Sequence, residues 1–210
     1  IVNLPEVVRL ARAYGARLMI DEAHAIGVLG DDGRGTPSHF GLKNDPDIDL
    51  TMGTFSKSFA SLGGFIGGAR RVVDFIKYGS QAFIFSASMS PASAAAVRAS
   101  LRIIRREPER VERLRRIARE VRDGLKAQGF KLIDGITPIV PVIIGDDMKT
   151  FQFWRRIVDE GVFVNAVISP AVPQGMQLIR LSLIATYEQS HVDRVLEAFR
   201  KVGKEFGLSH

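Results

Sequence analysis

The sequence predicts an α/β fold. Short apolar runs that stop at glycine or at an acidic residue alternate with longer stretches of helical periodicity along the whole chain. The run Leu18-Met19-Ile20 is apolar without alternation, as in strands covered on both faces. No internal repeat or low-complexity tract interrupts the pattern.

Taken in order, Leu4, Val7, Val8 and Ala11 mark a helix that ends near Tyr14-Gly15. The first strand follows and stops at Asp21. Residues 27–47 are rich in glycine and end at Pro46 and Asp47, so a loop is expected there. Asp49–Gly53 and Phe65–Gly68 are the next strands, Val72–Tyr78 a short helix, and Phe83-Ile84-Phe85 a further buried strand. Pro91 opens a long helix to Arg106, a position where its missing N–H costs nothing. Glu107-Pro108 breaks the periodicity and divides the chain into expected domains 1–107 and 108–210. Beyond it come an amphipathic helix to Gln128-Gly129, a strand at Ile139–Ile144, a helix over Thr150–Glu160, strands near Val162–Val164 and Leu178–Ser182, and a last helix over His191–Phe206.

The 210 residues are 46% hydrophobic and 25% charged, an ordinary globular composition. No apolar run approaches the roughly 20 residues that cross a bilayer. Cysteine is absent, which excludes disulfides and thiolate metal sites. No metal centre is expected, and a cytoplasmic location is the simplest expectation. The chain opens Ile1-Val2-Asn3 with helical periodicity almost at once, so further sequence is expected upstream.

The formal net charge is +6, and nine arginines lie between Arg102 and Arg122. A basic stripe can bind nucleic acid. Here Val111, Leu114, Ile117, Val121 and Leu125 give the same segment one apolar face, while Glu109–Arg113 and Glu112–Arg116 are spaced as i,i+4 pairs. That pattern describes a solvated helix face, and no nucleic-acid partner is expected.

Three residues carry the chemistry. Asp21 ends a strand, where open α/β sheets bind ligands, and a carboxylate there needs a partner such as a protonated pyridine nitrogen. A cap on the following loop is the plainer alternative. The motif Asp21-Glu22-Ala23-His24 also matches a helicase acidic motif, which needs a phosphate loop before it. Within these residues the nearest match, Gly53-Thr54-Phe55-Ser56-Lys57-Ser58, lacks the second glycine and follows instead, so the helicase reading is rejected on these residues, with the sequence upstream unseen. Lys57 stands among Thr54, Ser56, Ser58 and Ser61, with Gly63-Gly64 and Gly67-Gly68 beyond. Small neighbours admit a planar ligand to an amine nucleophile, and hydroxyls suit a phosphate; a surface lysine in a flexible loop is the alternative. Arg180 lies inside the apolar strand Gln177–Ser182, where it needs an anion, either a substrate carboxylate or an internal acid.

The stretch LMIDEAHAIGVLGDDGRG, followed at matching distance by GTFSKSFASLGGFIGG and later by FSAS and LIRLSLIAT, resembles the α-oxoamine synthase family of fold-type I pyridoxal-phosphate enzymes over essentially the whole chain. The resemblance implies that residues 1–107 are the C-terminal part of the large cofactor-binding domain and that 108–210 form the small α/β domain. It implies pyridoxal 5'-phosphate as cofactor, bound as a Schiff base to Lys57. Asp21 pairs with the pyridine nitrogen, His24 contacts the ring oxygen and acts on the substrate, Thr54 binds the phosphate, and Arg180 binds the substrate carboxylate. Ser86 and Ser88 reach the phosphate of a neighbouring subunit, so a homodimer is implied. The activity implied is decarboxylative condensation of serine or glycine with an acyl-CoA. TPIVPVIIGDDMKTF and GVFVNAVISPAVPQG are most similar to serine-using members with long-chain acyl-CoA. One departure is Ala185-Thr186-Tyr187, where relatives often have histidine third. Two other classes stay open: an aminotransferase of the same fold, and a basic nucleic-acid-binding domain without catalysis.

Overall fold

The computed structural model describes residues 1–43 and 47–209. The chain forms two compact units, Ile1–Val111 and Glu112–His210. The expected break at Pro108 does interrupt the helices, but the first unit runs a few residues further. Val111 is buried, and its methyl group lies where a side chain at Gly33 would reach.

In the first unit, α1 (Leu4–Ala13) leads to β1 (Met19–Asp21), a short α2 (Thr36–His39), β2 (Leu50–Thr54) and β3 (Gly64–Gly68). Then follow α3 (Arg70–Gly79), α4 (Gln81–Ile84) and α5 (Pro91–Arg106). The strands form one sheet in the order β1-β2-β3, with β1 parallel to β2 and β3 antiparallel to it. Helix α1 buries Leu4 and Val8 against Ile48, with Leu18 and Ile20 packed alongside. The Asp49 carboxylate accepts the Leu18 N–H at 2.9 Å and a bond from Arg17 at 2.8 Å, and these two donors hold it below the usual carboxylate range.

Four expectations change here. Strand β1 is not covered on both faces: Leu18 and Ile20 pack against the α1 cluster, while Met19, pointing the other way, is 54% exposed. The 27–47 segment is not all loop, since α2 lies within it; Asn44, Asp45 and Pro46 fall outside the described residues. Phe83-Ile84-Phe85 is not a buried strand. Ser80 accepts the Phe83 N–H and starts the helical turn of α4, and every residue from Gln81 to Ser90 is exposed. A three-residue apolar run cannot distinguish a strand from one turn of helix. The strand expected near Val162–Val164 runs instead over Asn165–Val167, because the Val164 carbonyl is taken by the Trp154 indole N–H at 2.9 Å.

The second unit contains most of α6 (Glu109–Ala127), then β4 (Ile139–Ile143), α7 (Asp147–Asp159), β5 (Asn165–Val167), β6 (Leu178–Ser182) and α8 (Gln189–Glu205). Its sheet is antiparallel in the order β4-β6-β5. Pro141 is tolerated because its nitrogen faces away from β6, on the side where β4 makes only an isolated bridge at Leu132. The apolar face of α6 is buried as its periodicity predicts, and Phe130, Phe153 and Phe199 form a mutual ring cluster with centroids 5.6–6.2 Å apart. Arg122 of the basic helix is itself buried. Its guanidinium donates to the carbonyls of Ile133, Thr137 and Ile139, and desolvation lowers its pKa. It fastens the chain between α6 and β4 by satisfying carbonyls that would otherwise be buried unpaired. Among the described residues no helix is long and apolar enough to cross a membrane.

Candidate active site

Parallel pairing of β1 with β2 places Ile20 beside Thr51 and Asp21 beside Met52, so both strands end at the same edge of the sheet. Asp21 is exposed at that edge. One carboxylate oxygen accepts the Ala23 N–H at 2.8 Å; among the described residues no cation pairs with it. The chain then turns. The Glu22 N–H continues the sheet by bonding to Met52 O, and the Glu22 carbonyl accepts from Ala25 and Ile26, leaving His24 exposed in the turn.

Strand β2 delivers the second group. Residues 55–63 connect β2 to the antiparallel β3, and Lys57 lies in this connection. Phe55 and Phe59 flank Lys57 two residues away on either side and are both buried with Val97 of α5. Their rings meet edge to face at 5.3 Å, and Phe65 of β3 stacks on Phe55 at 5.6 Å. Gly53 is required beneath this stack, because a side chain there would occupy the space of the Phe65 ring. Two hydroxyl bonds clamp the connection to α5: Ser100 to Phe59 O at 3.0 Å, and Ser61 to Ser93 O at 3.2 Å. Ala60 sits at φ 49°, a left-handed conformation that closes the turn through its N–H to Lys57 O. The result is an exposed lysine between two buried anchors. Its ammonium has no acidic partner among the described residues.

The Asp21 and Lys57 segments touch. Ser58 donates its hydroxyl to Ile26 O at 2.6 Å, and Gly27 lies so close to Ser58 that a side chain there would collide with it. Thr54 and Ser56 bring their hydroxyls within 3.0 Å of each other beside Lys57. Asp21, His24, Thr54 and Lys57 are therefore carried by two adjoining segments of one unit. Ser86 and Ser88 are both exposed after α4; the Ser86 hydroxyl donates to Ala82 O at 2.5 Å.

Arg180 is on β6 of the second unit, between Pro141 of β4 and Asn165 of β5. Ile179 and Leu181 on the opposite face are buried. The internal ion pair that offered one explanation for Arg180 is absent among the described residues, and its buried Nε has no hydrogen-bond partner.

The profile of the aminotransferase class I and II family matches residues 1–199. The chain belongs to the aminotransferase class I and II family. Among relatives, it is 46% identical over 205 residues to a serine palmitoyltransferase of Sphingobacterium spiritivorum, covering 98% of this chain and 51% of that protein. It is 40% identical over 208 residues to an 8-amino-7-oxononanoate synthase of Lysinibacillus sphaericus, covering 99% and 53%. The chain thus spans about half the length of the curated relatives it matches. Among solved structures, one titled a high-resolution structure of SPT with PLP internal aldimine superposes with a TM-score of 0.93 at 34% identity, covering 99% of this chain and 52% of that one. The Sphingomonas wittichii serine palmitoyltransferase gives 0.93 at 30%, covering 100% and 53%. The α/β architecture is accordingly that of the aminotransferase class I and II, or fold-type I, enzymes.

The side chains that hold Asp21 and Lys57 in place were not singled out in the sequence. The anchors Phe55 and Phe59 carried a visible signal, an aromatic pair four residues apart around the lysine. The Ser58–Ile26 bond spans 32 residues and had no local signal.

Proposed function

We propose that the two units serve a pyridoxal-phosphate-dependent α-oxoamine synthase, most like the serine palmitoyltransferases, which joins an amino acid to an acyl-CoA with release of CO2 and coenzyme A. The observation that carries this reading is the pairing of Asp21 and Lys57 on adjoining segments at one sheet edge, each exposed and each without an ion-pair partner among the described residues. Exposed and unpaired, the carboxylate and the amine are both open to a ligand from solution. The donor set fits the cofactor: an amine for its aldehyde, a carboxylate for its ring nitrogen, and the Thr54 hydroxyl beside that of Ser56 for its phosphate.

When bound, pyridoxal phosphate supplies an electrophilic carbon and a protonated ring that accepts electrons from the substrate. Lys57 Nζ would hold that carbon and, when free, would be the base placed to take the proton from the substrate Cα. The Asp21 carboxylate holds the proton on the ring nitrogen. His24 orients the ring oxygen and polarises the thioester carbonyl. Arg180 binds the amino-acid carboxylate through its planar fork, which an ammonium cannot copy. L-Serine with a long-chain acyl-CoA is the preferred substrate pair, which would feed sphingolipid synthesis, and glycine is the competing amino acid. Residues 1–107 act as part of the cofactor domain and 108–210 as the small domain. The enzyme works in the cytoplasm as a homodimer in which Ser86 and Ser88 reach the partner's phosphate.

The test uses the full-length protein with pyridoxal phosphate, L-serine or glycine, and palmitoyl-CoA. Stoichiometric release of coenzyme A and CO2 is expected. Keto-acid formation without coenzyme A release would instead establish an aminotransferase. Arg180→Lys is expected to raise the amino-acid KM by about 10-fold or more, the scale of a lost charge-assisted bond, while cofactor occupancy stays unchanged. Loss of cofactor with an unchanged KM would assign Arg180 a structural role.

A further inference from the structure

Glu22 lies between two proposed active-site residues, Asp21 and His24, yet none of that chemistry uses it. It is 3% exposed. Its carboxylate accepts the Thr36 N–H at 2.6 Å, fourteen residues along the chain, and among the described residues no cation pairs with it. The same carboxylate lies over Gly35, whose φ of 99° and lack of a side chain leave the space it fills; a methyl group there would overlap its oxygen. The loop between these points is tied across itself, Gly27 N–H to Gly33 O at 2.7 Å and Gly35 N–H to Leu29 O at 2.9 Å. Glu22 also holds both ends of its own turn, through its N–H to Met52 O and its carbonyl to Ala25 and Ile26. A buried carboxylate with so few partners is a poor way to gain stability, because desolvation opposes it. Its geometry does something else: it fixes the return of the loop against the turn that presents His24.

We propose that Glu22 is the positioning residue for His24, acting through its buried carboxylate on Thr36 and Gly35 to hold the turn in one conformation. This rests on the active-site reading above. The loop from Gly27 to Gly35 is rich in glycine, and without the Glu22 carboxylate its return would be free to shift against the turn that carries His24. Loss of a hydrogen bond to a charged group corresponds to a fall in activity of about 10-fold or more if its whole effect reaches His24.

The experiment uses the full-length enzyme loaded with pyridoxal phosphate, with Glu22→Ala, His24→Ala and the double variant. Three quantities are measured: turnover, cofactor fixed at Lys57 by borohydride, and hydrogen exchange over residues 22–36. Glu22→Ala should keep the cofactor fixed at Lys57, speed exchange in that segment, and lower kcat on the scale above. In the double variant turnover should match His24→Ala alone, because a positioning residue has nothing left to position. Multiplying losses, or unchanged exchange, would overturn the proposal. If Glu22→Ala does not fold, Glu22→Asp enters the same cycle; it keeps the charge but is one methylene short of Thr36, and full turnover in it would equally overturn the role. Failure of the wild-type enzyme to fix cofactor at Lys57 would refute the underlying active-site reading instead, a result distinct from either.

Discussion

Lys57→Ala is expected to abolish the fixation of pyridoxal phosphate by borohydride and to slow turnover at least about 10³-fold, within the range that general acid–base catalysis alone contributes. One amine is assigned two tasks, covalent attachment and proton transfer, so one truncation removes both. The fold should survive. Lys57 is exposed, without an acidic partner among the described residues, and the turn is held by Phe55, Phe59 and the clamps to Ser93 and Ser100. A variant that melts like the wild type, retains the cofactor non-covalently and no longer labels is the predicted outcome. Labelling at another lysine would show that Lys57 is not the attachment site.

Asp21→Asn is expected to cost about 10²–10³ in kcat, the effect of removing one preorganised group from a developing charge. The substitution keeps shape and loses only charge. The bond from the Ala23 N–H can still be accepted by the amide oxygen, so the turn needs no rearrangement. Unpaired with a carboxylate, the ring nitrogen would no longer keep its proton at neutral pH, and the cofactor would be a weaker electron acceptor. The absorbance of the bound cofactor should shift while its occupancy changes little. Turnover within about 3-fold of wild type, less than a typical net hydrogen-bond contribution, would remove Asp21 from this role.

The charged residues proposed for catalysis and binding stand out in the sequence because each belongs to a local pattern. Asp21 closes an apolar run, Lys57 follows one among hydroxyls, and Arg180 interrupts one. The amphipathic helices were legible for the same reason: the periodicity of Val111, Leu114 and Ile117 lies within a few turns. Other features depend on partners distant in sequence. Arg122 was one basic residue among nine, and nothing local told that three carbonyls after α6 would enclose it. Glu22 was part of a visible motif, but its bond to Thr36 requires the loop to return. Phe83-Ile84-Phe85 misled because apolar character predicts contact with something, and the run was too short to fix which backbone would present it.

The bond from Ser58 to Ile26 has a consequence for how the site comes into being. The two segments it joins belong to different strand ends, and each could in principle order without the other. With this seam between them, and Gly27 lying against the same serine, neither segment can open without breaking a contact that the other shares. Opening of either segment is therefore expected to loosen the other, which hydrogen exchange over the two would show as linked rates. The proposed acid and imidazole on one segment and the proposed amine on the other are thereby coupled in any opening of either.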